Sequence, residues 1–378
     1  MTKVMTVVGT RPEIIRLSCV MRLLDQTVEH VLVHTGQNWD DTLNAVFFRE
    51  LGLRAPDIDL GVDTSSLGTT LAGVITGTER ALLQHQPDAV LVLGDTNSCI
   101  AALIARRMKI PVYHMEAGNR CFDLNVPEET NRRLVDHVAD FNLVYTEHAR
   151  RNLLMEGLHP RRVMLTGSPM REVLERYEPL IQASTVLKTQ SLAENEYFVA
   201  SLHREENVDS FERLHRALAA LRAVHARWSL PIMISTHPRT RKRLEQHAPG
   251  AASEPGLIFH EPFGFPDYMR LQMSARCVLS DSGTISEEAS IMGFPAVTLR
   301  DSIERPEALD TGSIIATGLD PEGVVEAVDF ALRRSPASAP TDYAIPDTSR
   351  RVVAFMLSTI RRHHEWAGIR RPTPEGAS

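Results

Sequence analysis

The feature that most constrains this chain is a set of short, uninterrupted apolar runs, of which Ala89-Val-Leu-Val-Leu93 is the clearest. A strand with one face in water alternates apolar and polar residues. A run that is apolar throughout has both faces covered, as in a parallel sheet with helices on either side. Val4–Val8, His30–Thr35, Val112–Met115, Asn142–Tyr145 and Val163–Leu165 carry the same pattern, separated by helical stretches such as 13–24. Residues 177–196 are mixed and turn-prone, without a strand signal. The pattern then restarts at Tyr197–Leu202, Ile232–Ser235, Leu257–His260, Cys277–Ser280 and Ala296–Leu299. A chain of 378 residues exceeds what one hydrophobic core usually organises. The expected fold is therefore α/β: two Rossmann-like, doubly wound domains with a cleft between them, residues 1–175 and 176–345. A basic, periodic helix at 348–366 within the tail 346–378 is expected to pack back on the first domain, with 368–378 frayed.

Composition excludes several function classes. Lys+Arg 41 against Asp+Glu 48 leaves a net charge of -7, without the basic footprint of a nucleic-acid binder. The four cysteines, Cys19, Cys99, Cys121 and Cys277, form no CxxC pair, which argues against a zinc ribbon or a disulfide framework. No window approaches about 18 uninterrupted apolar residues, and the first apolar run is too short for a signal peptide. The expectation is a soluble, cytoplasmic protein.

Ligands of doubly wound folds sit at the carboxyl ends of the strands, and that is where the polar motifs fall. Gly9-Thr10-Arg11-Pro12-Glu13 follows the first strand. It offers backbone donors at a helix N-terminus and an arginine fork to an anion, or is a plain strand-to-helix turn with Pro12 near the first helical position. Gly94-Asp95-Thr96-Asn97 ends the Ala89–Leu93 run, with Asp95 either a carboxylate facing ligand or a helix cap. His114-Met115-Glu116-Ala117-Gly118 and Pro127-Glu128-Glu129-Thr130-Asn131-Arg132 bring more acids to neighbouring turns. Crowded carboxylates repel, so one is expected to hold its proton unusually well and to serve as general acid or base, while Glu128 or Glu129 opens a helix.

The second half supplies a different chemistry. Ser201-Leu202-His203-Arg204-Glu205-Glu206-Asn207 puts a His-Arg pair at a strand end, suited to a diphosphate or a proton relay, and Thr236-His237-Pro238-Arg239 repeats the theme. Ser280-Asp281-Ser282-Gly283-Thr284 turns into a helix, presenting amides and hydroxyls to phosphate oxygens, with Glu288 in reach of a ribose diol. Arg300-Asp301-Ser302-Ile303-Glu304-Arg305-Pro306-Glu307, taken alone, reads as a solvated charge run. No GxGxxG, P-loop, HExxH or Ser-His-Asp pattern is present, so the expected chemistry is proton transfer on a nucleotide-linked substrate without metal or cofactor.

Together the motifs GTRPE at 9–13, GDT at 94–96, HxEAG at 114–118, PEExNR at 127–132, HRxE at 203–206, DSGxxxEE at 281–288 and ERPE at 304–307 resemble, in order, the non-hydrolysing UDP-N-acetylglucosamine 2-epimerase family. The resemblance spans 4–319. It implies a GT-B-like homodimer that inverts C2 of a UDP-sugar by eliminating UDP to a 2-acetamidoglucal and adding it back. By resemblance, Asp95, Glu116, Glu128 and His203 match the catalytic set. Arg11, Arg16, Arg132, Arg204, Ser282, Gly283, Thr284, Glu288 and Arg305 match positions around the UDP-sugar.

Two departures bear on regulation and substrate. Arg16 stands where many members carry lysine. Gly36-Gln37-Asn38-Trp39-Asp40 replaces a Gln-His-Arg type segment tied in bacterial members to allosteric activation, so that regulation is not carried over. The runs 117–123, 126–132 and 203–209 look closer to a subgroup acting on UDP-2-acetamido-2,6-dideoxy-L-talose, for which Phe122 is a candidate apolar neighbour. A hydrolysing relative would release free UDP and sugar, a glycosyltransferase would need an acceptor, and a non-catalytic UDP-sugar sensor would show no turnover.

Overall fold

The computed structural model describes residues 1–36, 48–333 and 338–369. Residues 37–40 of the departing segment, and 370–378 of the tail, lie outside them. The chain divides into two compact units. One comprises Met1–Gly118, Thr130–Glu172 and Pro346–Ser378, the other Asn119–Glu129 and Val173–Ile345.

The first unit holds seven strands: β1 (Lys3–Val8), β2 (Glu29–His34), β3 (Ile58–Asp59), β4 (Ala89–Leu93), β5 (Val112–Met115), β6 (Phe141–Val144) and β7 (Val163–Leu165). Their order is β3-β2-β1-β4-β5-β6-β7, with neighbours parallel. The second unit holds β8 (Phe198–Ser201), β9 (Ile232–Ser235), β10 (Leu257–His260), β11 (Val278–Ser280), β12 (Ala296–Thr298) and β13 (Ile315–Ala316), in the order β10-β9-β8-β11-β12-β13, again parallel. Both sheets are α/β and doubly wound. Strand order reverses at β1/β4 in one and at β8/β11 in the other, the position at which doubly wound folds generally bind their ligands.

The apolar runs are buried at consecutive positions, so neither face is left to water. Met5, Val7, Val90 and Val92 pack with Val74, Ala101 and Ala105 in the first unit. Phe198, Ala200, Leu279 and Val297 pack with Ala217, Leu221, Val224 and Val328 in the second. Each fully buried aliphatic or aromatic side chain contributes roughly 1.5–3 kcal/mol of transfer free energy. Among the described residues no helix is long and apolar enough to cross a membrane.

The stretch 177–196 holds no strand but is not merely turns. Met170–Ala183 is a helix, with Pro179 inside it, and Val186–Thr189 is a further short one. Val173, Leu174, Tyr177 and Ile181 form its buried stripe, a helical spacing diluted by the polar residues between them. The C-terminal helix runs Thr348–Thr359, breaks at the 3-10 turn Ile360–Arg362 and resumes at His363–Trp366. It packs on helix Arg11–Thr27, and Thr359 shares a 2.6 Å hydrogen bond with the Tyr113 hydroxyl of β5.

Candidate active site

In the first unit the polar side chains gather at the ends of β1, β4 and β5. Thr10 caps helix Arg11–Thr27 and Pro12 lies in its first turn, where a missing N–H costs nothing. Glu13 folds back under this turn: its Oε2 accepts from the backbone N–H of Gly9 (2.5 Å) and of Thr10 (3.2 Å). Its Oε1 accepts from the hydroxyls of Ser98 (2.7 Å) and Thr96, beyond β4. Burial pushes the Glu13 carboxyl above its ordinary range, against the pull of these four donors. Glu13 thus ties the β1 turn to the β4 turn.

One turn along the helix, Arg16 is buried. Its Nη1 is 2.8 Å from Glu116 Oε2, and its guanidinium lies over the Tyr145 ring. Glu116 itself adopts φ +64, a left-handed conformation that costs a non-glycine residue of order 1–3 kcal/mol and clusters at functional sites. A Cβ on Gly94 would come within 4.0 Å of Glu116 Oε2, so the ends of β4 and β5 adjoin. Asp95 is not a cap, because Thr96 caps the following 3-10 turn. Asp95 Oδ2 instead accepts from Arg132 Nε at 2.7 Å, and its carbonyl from Asn131 Nδ2 at 2.8 Å. Arg11 is partly buried, which lowers its guanidinium pKa against the opposing charge of Glu50.

Two residues beside these acids were not singled out by sequence. His114 Nδ1 faces Asp136 Oδ1 at 3.0 Å and its Nε2 faces the Gly94 carbonyl at 2.7 Å. Both Asp136 oxygens also accept from the N–H of Gly118 at 3.2 Å. Gly118 must be glycine: φ is +82, and a Cβ would fall 2.4 Å from the Ala149 carbonyl.

In the second unit the cluster lies at the ends of β8, β11 and β12. Asp281 is fully buried and accepts from the backbone N–H of His203 and of Arg204 and from Asn207 Nδ2, each at 3.1 Å. His203 Nδ1 is also 3.1 Å from Asp281, leaving a ring that is 39% exposed. Burial works against the Asp281 charge, but His203 and these donors prevail and lower its pKa. Asp281 was a motif residue with no role; a strand-end aspartate beside a strand-end histidine was the available signal.

Ser282 and Thr284 hydroxyls lie 3.0 Å apart in the turn before helix Ile285–Met292. Glu288 is nearly buried and accepts from Gln272 Nε2 at 3.0 Å. The 300–307 segment is no solvated run: Arg300, Glu304, Arg305 and Glu307 are all buried, because their charges pair internally. Glu304 receives Arg300 Nη1 at 2.5 Å and Arg204 Nη2 at 3.2 Å. Arg204 Nη1 lies 3.8 Å from Glu128 Oε2. Arg305 pairs with Glu287 at 3.2 Å and faces Glu307, whose carboxyl takes the Tyr343 hydroxyl.

Of the paired acids at 128–129, Glu129 is buried under the N–H of Cys121 and serves structure, while Glu128 is partly exposed beside Arg204. Phe122 and Leu124, on the same stretch, are 71% and 86% exposed. The Thr236–Arg239 turn is structural: His237 caps helix Pro238–His247, and Arg239 pairs with Glu205 and Asp209.

Two parallel sheets, each with its polar residues massed where strand order reverses, define a GT-B-like α/β enzyme class, and solved structures agree. A UDP-N-acetylglucosamine 2-epimerase from Rickettsia bellii matches with TM-score 0.91 at 42% identity, covering 98% of this chain and 100% of that one. The Methanocaldococcus jannaschii UDP-GlcNAc 2-epimerase, in complex with UDP-GlcNAc and UDP, matches with TM-score 0.90 at 33% identity, covering 95% and 100%. A UDP-2,3-diacetamido-2,3-dideoxy-D-glucuronate 2-epimerase of Pseudomonas aeruginosa is 32% identical over 94% of this chain and 99% of that protein. The chain belongs to the UDP-N-acetylglucosamine 2-epimerase family, whose profile matches residues 22–357.

Proposed function

We propose that this chain inverts C2 of UDP-N-acetylglucosamine, interconverting it with UDP-N-acetylmannosamine by elimination and re-addition of UDP. The observation that carries the reading is the pairing of Asp95 with Arg132 and Glu116 with Arg16 at the β4 and β5 ends. A carboxylate held in one orientation by an adjacent guanidinium is placed to exchange a proton with a bound substrate. In the forward step a carboxylate takes the C2 proton, the C1–O bond breaks and UDP leaves with its electron pair, giving a 2-acetamidoglucal. In the return step UDP oxygen adds to C1 and a carboxylic acid delivers the proton to the other face of C2, so no oxidant or reductant is consumed.

Asp95, Glu116 and Glu128 are the proton-handling set. His203, held through Nδ1 by Asp281, presents Nε2 to the departing diphosphate, as a preorganised donor should. Arg11, Arg204, Ser282, Gly283 and Thr284 bind phosphate and sugar, Glu288 the ribose. Arg16 and Arg132 hold carboxylates in place beside the sugar, and Arg305 holds the turn that follows β12. We assign the enzyme to the cytoplasm as a homodimer, on the pattern of the family.

The family inverts C2 on more than one UDP-sugar, as the Pseudomonas relative's name records. Exposed Phe122 and Leu124 on the stretch that carries Glu128 favour a second candidate, UDP-2-acetamido-2,6-dideoxy-L-talose, which lacks a 6-hydroxyl. Incubation with UDP-N-acetylglucosamine in heavy water, read by proton NMR, tests both. A manno product with deuterium at C2 and no accumulating UDP supports the proposal. Free UDP with free sugar indicates hydrolysis, and no reaction directs the assay to the 6-deoxy sugar.

A further inference from the structure

His114 is buried, and both of its ring nitrogens face acceptors: the carboxylate of Asp136 and the carbonyl of Gly94. A neutral imidazole carries one N–H and can satisfy only one of them, whereas an imidazolium satisfies both. Burial disfavours that charge, yet Asp136 and the Gly94 carbonyl outweigh it and raise the His114 pKa. Among the described residues, the carboxylates that act on the ring are Asp136, from helix Pro127–Val138, and Asp95, beyond β4. The nearby Cys99 thiol, buried among Asp95, Glu13 and Asp136, stays neutral, its pKa pushed well up.

What the pair touches is specific. The Gly94 carbonyl immediately precedes Asp95. The Gly118 N–H, held by Asp136, lies two residues after Glu116, whose left-handed backbone needs support from outside. We propose that His114 and Asp136 form a buried imidazolium–carboxylate pair, neutral as a whole, that positions the Asp95 and Glu116 turns and keeps a net negative charge from forming behind them. His114 touches neither substrate nor reacting atoms; it acts through the backbone of its neighbours and through its field. The proposal rests on the reading of Asp95 and Glu116 as the reacting carboxylates.

The first test needs no variant and no activity. Two-bond 1H–15N spectra of the intact wild-type protein at neutral pH report the protonation of each ring nitrogen. An imidazolium with both nitrogens protonated for His114 is the expected result, and a neutral ring overturns the proposal even if the enzyme is an active epimerase. Conversely, a wild type inactive on every UDP-sugar tried would sink the functional reading while leaving this result standing.

The second test separates charge from packing. His114→Gln keeps a donor for Gly94 but removes the positive charge beside the Asp136 carboxylate, so the pair site gains one net negative charge. Its kcat should fall roughly 10–100-fold, as for a small misplacement of reacting groups, with KM little changed. The acid limb of its kcat profile should move to higher pH, because a net negative neighbour makes carboxylates harder to ionise. His114→Gln combined with Asp136→Asn restores neutrality, and should return the acid limb toward wild type. A kcat loss that tracks lowered thermal stability in both variants, with the limb unmoved, would make the pair merely structural.

Discussion

Arg132 Nε lies 2.7 Å from Asp95 Oδ2, joining helix Pro127–Val138 to the turn beyond β4 across 37 residues of chain. Arg132 is almost fully buried, while the Asp95 side chain keeps 21% of its surface. Arg132, matched by resemblance to a position around the UDP-sugar, thus also holds the Asp95 carboxylate in one rotamer. The same division of labour recurs in Arg16 with Glu116 and in Asp281 with His203.

Asp95→Asn and Glu116→Gln should each reduce turnover by about 10²–10⁴-fold, the usual worth of a positioned acid or base. Titration calorimetry should find UDP affinity close to wild type if, as proposed, both act on the sugar. Lost UDP affinity with normal turnover at saturation would refute the assignment.

Arg16→Lys keeps a charge beside Glu116 and, as the family's frequent residue there, should retain most activity. Arg16→Met leaves Glu116 without its 2.8 Å partner. In that variant kcat should fall and its acid limb should shift to higher pH, since removing an opposite charge raises a carboxyl pKa. A pH-rate profile of the two variants measures the contrast.

Arg305→Ala breaks the ion pair with Glu287, which has no exposed surface, and removing one partner of a buried pair costs about 3–5 kcal/mol. Urea unfolding should show that loss, and Arg305→Met with Glu287→Leu should recover much of it. Unchanged stability with weakened UDP binding would instead place Arg305 on the ligand.

Gly283→Ala would set a Cβ 2.6 Å from Glu304 Oε1 and 3.3 Å from Arg204 Nη2. Glu304 must move, and with it the Arg204 guanidinium. The expected outcome is weaker UDP binding by calorimetry in a protein whose circular dichroism is unchanged.

Asp281 has its pKa lowered from an ordinary 3.8 in the folded chain. A depressed carboxyl adds stability above its unfolded value, and that increment disappears as pH falls toward the folded value. The stability gap between wild type and Asp281→Asn should therefore shrink as pH falls below about 4. Urea midpoints across that range read it directly.

Much of this protein was legible in its sequence because parallel sheets demand it. Strands covered on both faces must be apolar throughout, and their polar turns fall at strand ends, so Val4–Val8, Ala89–Leu93 and the motifs after them stood out. Edge strands of two residues, Ile58–Asp59 and Ile315–Ala316, carry no pattern at that length. Helix Met170–Ala183 was hidden because its apolar stripe is interrupted by charges and by Pro179.

The sequence by itself determined the fold class, the strand-end turns and the residue types brought to them, since periodicity and turn chemistry are local properties. Only the tertiary structure decided the partners: Arg132 on Asp95, Arg16 on Glu116, Glu13 beneath two turns, His114 between Asp136 and Gly94. Each of these pairs is set by the order of strands across a sheet, which no local stretch of sequence encodes. Burial was decided there too, for Arg300, Glu304 and Arg305 become interior residues only because each brings its counter-charge with it.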